Sequence, residues 1–293
     1  MSHHALQHVV VRLLFDPEFV AALHAAPEAA LADCGLTDVE TRWLLSADPR
    51  AWNVDPLRRR RTLGALAEEF KASSALALAE TRSLAFLERF FSSPNFHHAI
   101  QRRGSMGLAF AEFLADRLRD GALATPQLPD VLRLETLMAR CRREPPAAHP
   151  PPDPPAAVDD TAMVAPAPQT AVGGFQANVI AVIQRVERHL FEAGLVPAGA
   201  QCADAPRLDD LPPVDASRKI YLHCGPGLSG ISLTAIDRAE FLVSLEAKRP
   251  ASIRDLVQRA KKSNLPAPTT LNVIAEALSA RRLVLCDPSR ADA

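Results

Sequence analysis

Apolar residues in the first half of the chain recur at intervals of three and four, the period of a helix with one buried face. "DPEFVAALHAAPEAALADCG" (16–35) opens with Asp16 as N-cap and Pro17 at the first helical position. It restarts at Pro27 and ends at Gly35. In "LTDVETRWLLSAD" (36–48), Thr37 and Glu40 have the spacing of a capping box. Residues 55–93 predict one long helix or two in line, through Leu63, Leu66, Phe70, Leu76, Leu84, Leu87 and Phe91. Three more helices follow in "SPNFHHAIQRRG", "MGLAFAEFLADRLRDG" and "LPDVLRLETLMARCRR", each bounded by proline or glycine. Residues 1–142 carry no strand pattern and are expected to form a helical bundle.

The pattern breaks at 143–174, which holds nine of the 25 prolines and almost no bulky apolar residue. Such a tract predicts a semi-extended linker. Beyond it, "FQANVIAVIQRVERHLFEAG" (175–194) is amphipathic through Val179, Ile183, Val186 and Leu190. "RKIYLHC" (218–224) and "ISLT" (231–234) predict a hairpin around "GPGLSG". Ile231 and Leu233 point one way along the second strand, Ser232 and Thr234 the other. Without a gap the period then becomes helical, over 235–248, 252–263 and 269–282. Ser252 and Thr269 are placed to cap the last two helices, and "RLVLC" (282–286) closes as a strand. Hairpin, three helices and a terminal strand make a winged-helix-like plan for 175–293. The fold class is mainly α, α+β overall, with a small C-terminal α/β domain.

Composition agrees, with 48% hydrophobic and only 5% aromatic residues. Lysine and arginine number 33 against 34 acidic residues, without the basic excess usual in nucleic-acid binders. "RRRR" (58–61) reads first as the solvated start of a helix. Five scattered cysteines with no CxxC suggest reduced thiols and a cytoplasmic protein. The N-terminus lacks the basic region and apolar run of a signal peptide. No stretch has the length of a membrane span.

Candidate chemistry is sparse. The histidines at 3, 4, 8, 97 and 98 lack accompanying carboxylates at metal-ligand spacing, so no metal is expected in this chain. Ser229 in "GPGLSG" sits in a hairpin turn and not in the strand–turn–helix of a nucleophile elbow. The same glycines lack the lysine of a phosphate loop. No catalytic residue and no cofactor are assigned.

The segment "KIYLHCGPGLSGISLTAIDRAEFLVSLEAKRPASIRDLVQRAKKSNLPAPTTLNVIAEALSARRLVL" resembles the PqqD-like peptide-recognition element of ribosomal-peptide pathways. "FFSSPNFHHAIQRRGSMGLAFAEFL" and "LPDVLRLETLMARCRR" are similar to the helical accessory subunits of multinuclear non-haem iron-dependent oxidases, the DUF692 family. Together the two resemblances imply a non-catalytic partner protein. Residues 1–142 would dock the oxidase as a heterodimer, 143–174 would be the linker, and 175–293 would bind the precursor (leader) peptide. Iron would reside in the partner enzyme, which modifies the peptide, with cysteine a compatible target.

In that family the leader adds as a strand to the hairpin edge, and a groove between strand and helix reads alternate side chains. The resemblance places this edge at Ser229, Ile231, Ser232, Leu233 and Thr234. The facing wall would be the last helix, through Leu271, Ile274, Ala275 and Leu278. Arg281, with Arg282, Lys261 and Lys262, would meet acidic leader residues. The competing reading is a winged-helix DNA-binding transcriptional regulator with 269–282 as recognition helix. That helix offers only Thr269, Thr270, Asn272 and its terminal arginines, a poor set for reading base edges.

Overall fold

The computed structural model describes residues 3–53, 57–145, 159–192, 210–215, 217–228 and 230–286. The chain divides into two compact units, Met1–Leu132 with Ala181–Pro212, and Arg133–Ile180 with Pro213–Ala293. It is mainly helical, with two small antiparallel sheets.

The first unit contains α1 (His3–Phe15), α2 (Pro17–Ala25), α3 (Pro27–Leu31), α4 (Asp38–Ser46), α5 (Leu57–Glu69), α6 (Lys71–Thr81), α7 (Leu84–Glu88), α8 (Pro94–Gln101) and α9 (Met106–Arg119). Local chemistry sets their starts. Asp16, Ser93 and Ser105 each accept the N–H three residues on. At α4, Thr37 accepts from Glu40 N, and the Glu40 carboxylate returns to Thr37 N at 2.8 Å, closing the capping box. The stretch read as one or two helices is broken twice. It breaks at Phe70, and again after Thr81, where Arg82 takes a left-handed φ of 51°. The core is aromatic: Phe90 packs against Phe91, Phe96, Phe110 and Phe113 with centroids 5.3–5.8 Å apart.

Two helices cross the division between units. The first turn of α10 (Leu128–Arg143) belongs to the first unit and the rest to the second, while α11 (Val179–Glu192) lies in the first unit from Ala181 onward.

The second unit holds two sheets. One has the order β5 (Ala251–Ser252), β1 (Met163–Pro166), β6 (Leu283–Cys286); the other is β2 (Ala171–Gln176), β3 (Lys219–Gly227), β4 (Gly230–Ile236). After β4, Asp237 accepts from Glu240 N at 2.7 Å and starts α12 (Arg238–Glu246). Ser252 caps α13 (Ile253–Lys262), and α14 (Ala267–Ser279) follows Pro266. Val164, Val243, Ile253, Leu256, Val273, Ile274, Leu278 and Leu283 form one core.

The linker reading of 143–174 needs correction, since 163–166 and 171–174 are strand and Val164 is fully buried. Small residues (Ala165, Ala171, Gly173, Gly174) hid these strands, because the burial they need comes from Val164 and Phe175 alone. The helix read from 175 begins only at Val179, since Phe175 and Gln176 complete β2. Likewise α14 starts at Ala267, so Thr269 lies inside its first turn and does not cap it. The closing strand β6 pairs with β1 and not with the hairpin.

Candidate functional site: the edge of the second sheet

β3 is the central strand of its sheet and β4 an outer one. The β3–β4 register runs unbroken from Gly227–Gly230 to Tyr221–Ile236. In an antiparallel ladder every second residue turns its N–H and C=O away from its partner. Counted from a turn closed by Gly227 and Gly230, those residues of β4 are Ile231, Leu233 and Ala235. Among the described residues their outer side meets no backbone partner. The opposite outer strand differs: on β2, the Gly174 carbonyl accepts from Arg133 Nη2 of α10 at 3.0 Å.

Residues paired across a sheet share a face. Phe175, Leu222 and Cys224 face α10. Arg133 lies over the Phe175 ring at 5.3 Å, a Cβ on Gly173 would lie 3.4 Å from Leu137, and the Cys141 thiol donates to the Cys224 carbonyl at 3.9 Å. Ile231, Leu233 and Ala235, opposite Pro226, Cys224 and Leu222, belong to that face. The other face carries Tyr221, stacked on Phe241 of α12 at 4.6 Å, and His223. Ser232, Thr234 and Ile236 belong there. Ile231 and Leu233 are half-buried, whereas Ser232 and Thr234 are exposed.

The expected peptide-binding residues therefore do not form one groove. Ser229 lies outside the described residues. Ile231 and Leu233 do share a face, but it is the α10 face. On α14, Leu271 (46% exposed) and Ala275 are open to solvent, whereas Ile274 and Leu278 are core residues, 2% and 4% exposed. The last two are withdrawn from the candidate surface, since the helix needs one apolar stripe to hold α12, α13 and β6. Arg281 is exposed just past α14 in a left-handed conformation, φ 54°. Arg282 turns inward and pairs with the buried Glu240 carboxylate, so it is not available to an acidic ligand. Lys261 and Lys262 stand exposed in the last turn of α13. Sequence reasoning missed α10 as a wall of this sheet. β2 carried little signal of its own: in "AVGGFQ" Val172 and Phe175 fall on opposite faces with two glycines between them.

Two buried groups mark the two faces. On the α10 side, the neighbouring Cys141 thiol and burial together push the Cys224 thiol upward, so it stays protonated. On the other, burial and then the Arg282 charge hold His223 down to about 4, well below its ordinary 6.5. A lowered imidazole favours the unfolded chain once protons bind there. Stability of this unit is therefore expected to be complete above pH 6.5 and to fall by about 3 kcal/mol as pH drops to about 4. Urea unfolding from pH 7 to 4, comparing the wild type with His223→Gln, checks this. An identical pH slope in both would show that His223 is not the titrating group.

No group of three metal-ligating side chains occurs among the described residues. No described helix is long and apolar enough to cross a membrane. No protein-family model, no curated protein and no solved structure matches the chain.

Proposed function

We propose that the chain is a non-catalytic partner protein that binds a ribosomal precursor peptide and presents it to a DUF692-type non-haem iron oxidase. The observation that carries the peptide half is the unpaired outer edge of β4. An extended peptide satisfies such an edge with main-chain hydrogen bonds and adds specificity through alternate side chains. The winged-helix-like order of hairpin, three helices and strand supports a recognition element. The oxidase half rests on the resemblance of the helical segments, and the exposed Val39 and Trp43, one turn apart on α4, offer an apolar surface for such a partner.

Co-expression with a DUF692-type oxidase and a candidate precursor peptide tests both halves. The expected product is a heterodimer with iron only in the oxidase chain, which retains the precursor peptide. Ala235→Pro deletes one outward N–H of β4 while leaving the ladder to β3 intact. It is expected to lower peptide retention at least tenfold and leave the heterodimer unchanged. Recovery of DNA at low salt, lost steeply as salt rises, with neither partner bound, would overturn the proposal in favour of a regulator.

A further inference from the structure

Resting on that reading of the β4 edge, the geometry points to a two-faced peptide: apolar residues at alternate positions against Ile231 and Leu233 on the α10 side, polar residues beside Ser232 and Thr234, and a carboxylate within reach of Arg142. A strand added to β4 lies about 4.8 Å beyond it, and its side chains continue the two faces of the sheet. On the α10 side those faces are unequal to anything on the other. Phe175, Leu222 and Cys224 are buried, Leu233 and Ile231 continue the apolar row, and the row stops half-exposed at the edge. Apolar side chains of the added strand would bury that remainder.

On the opposite face the row holds Ser232 and Thr234, both exposed and backed by the buried imidazole of His223, before it reaches the half-buried Ile236. An apolar side chain there would gain little and would cover hydroxyls. Ser232 Oγ already donates to the Gly225 carbonyl at 3.3 Å, so it has a partner within its own sheet. Arg140, Arg142 and Arg143 make the last turn of α10 basic, and the exposed Arg142 directly follows Cys141, whose thiol reaches the carbonyl of Cys224, the residue opposite Leu233. The recognition surface is then the strip between β4 and α10. The exposed Leu271 and Ala275 of α14 lie outside it.

The test selects a displayed library of random ten-residue peptides on the full-length protein. The consensus peptide, fluorescein-labelled, is then titrated by anisotropy against variants. The enriched peptides are expected to alternate apolar with polar residues and to carry an acidic position. Leu233→Thr and Ile231→Thr keep a strand-compatible residue and are expected to weaken binding about tenfold each, Arg142→Glu severalfold, and Leu271→Ser not at all. Enriched peptides that lose binding with Ala235→Pro but show no alternation, and are indifferent to both threonine variants, would overturn this inference while leaving strand addition standing. Binding indifferent to Ala235→Pro, or no enrichment at all, would overturn the underlying reading and the inference with it.

Discussion

Phe90→Ala is expected to destabilise the helical unit by about 3–5 kcal/mol, the range for emptying a fully buried aromatic site. Phe90 has no exposed surface, and its ring meets Phe91, Phe96, Phe110 and Phe113 from both sides of the core. Two of these contacts, to Phe96 and Phe110, are edge-on at 83° and 82°, the arrangement in which ring quadrupoles attract. Deleting the ring removes transfer energy and four aromatic contacts together, and neighbours held by one another relax little into the space. Phe90→Leu keeps most of the volume and is expected to lose about 1–2 kcal/mol less than that. Denaturant unfolding followed by tryptophan fluorescence reads the correct unit, because Trp43 and Trp52 both lie within it. A loss near 0.5 kcal/mol, the scale of a surface change, would mean that the phenylalanine cluster is not the centre of this core.

The same residues show what a sequence can reveal here. Phe70, Leu76, Leu87 and Phe91 were legible as core because a helix has a fixed period, and all four are fully buried. Caps were legible for a related reason: the bonds of Asp16 with Phe19 N and of Thr37 with Glu40 close within four residues, so the residue types and spacing alone announce them. The second unit was harder, because its strands are short and its contacts distant in sequence. Val164 pairs with Leu285, separated by four helices and four strands, and nothing local to "MVAP" announces that partner. Proline content pointed to a linker, yet Pro166 closes β1 opposite Leu283, at a strand end where a missing N–H is tolerated.

For the candidate site, alternation along "ISLT" correctly separated Ile231 and Leu233 from Ser232 and Thr234. Period alone gives two faces but does not say which element covers each. Register supplies that: Leu233 opposite Cys224, and Cys224 beside Cys141, tie the apolar row to α10. On α14 the helical period made Leu271, Ile274, Ala275 and Leu278 a plausible wall. The core needed Ile274 and Leu278 for itself, and a surface for binding is drawn from what packing leaves over.

Asp16→Ala is expected to cost the helical unit about 2–4 kcal/mol, well beyond the roughly 1 kcal/mol of an ordinary N-cap. The sequence shows a cap; the structure adds a buried hub. Asp16 is 2% exposed, and its Oδ1 accepts from Phe19 N at 3.0 Å and from Ser92 Oγ at 2.8 Å. Its Oδ2 faces Arg12 Nε at 3.3 Å and His97 Nε2 at 3.6 Å. Burial alone would raise this carboxyl. The neighbouring His97 imidazole and hydrogen bonds from Ser92, the Phe19 N–H and Arg12 outweigh it and hold the group at about 2, below the ordinary 3.8. A depressed carboxyl stabilises the fold above its unfolded value, and that contribution drains away as pH falls from about 4 toward 2. The shift corresponds to about 2 kcal/mol at neutral pH. Asp16→Asn keeps an acceptor for Phe19 but not the charge. It is expected to lose less than alanine at pH 7 and to flatten the acid limb of the stability curve. Urea midpoints by tryptophan fluorescence, from pH 7 down to 2.5, compare the three proteins. If the asparagine variant loses stability between pH 4 and 2.5 as steeply as the wild type, the acid sensitivity belongs to another carboxylate and the hub assignment fails.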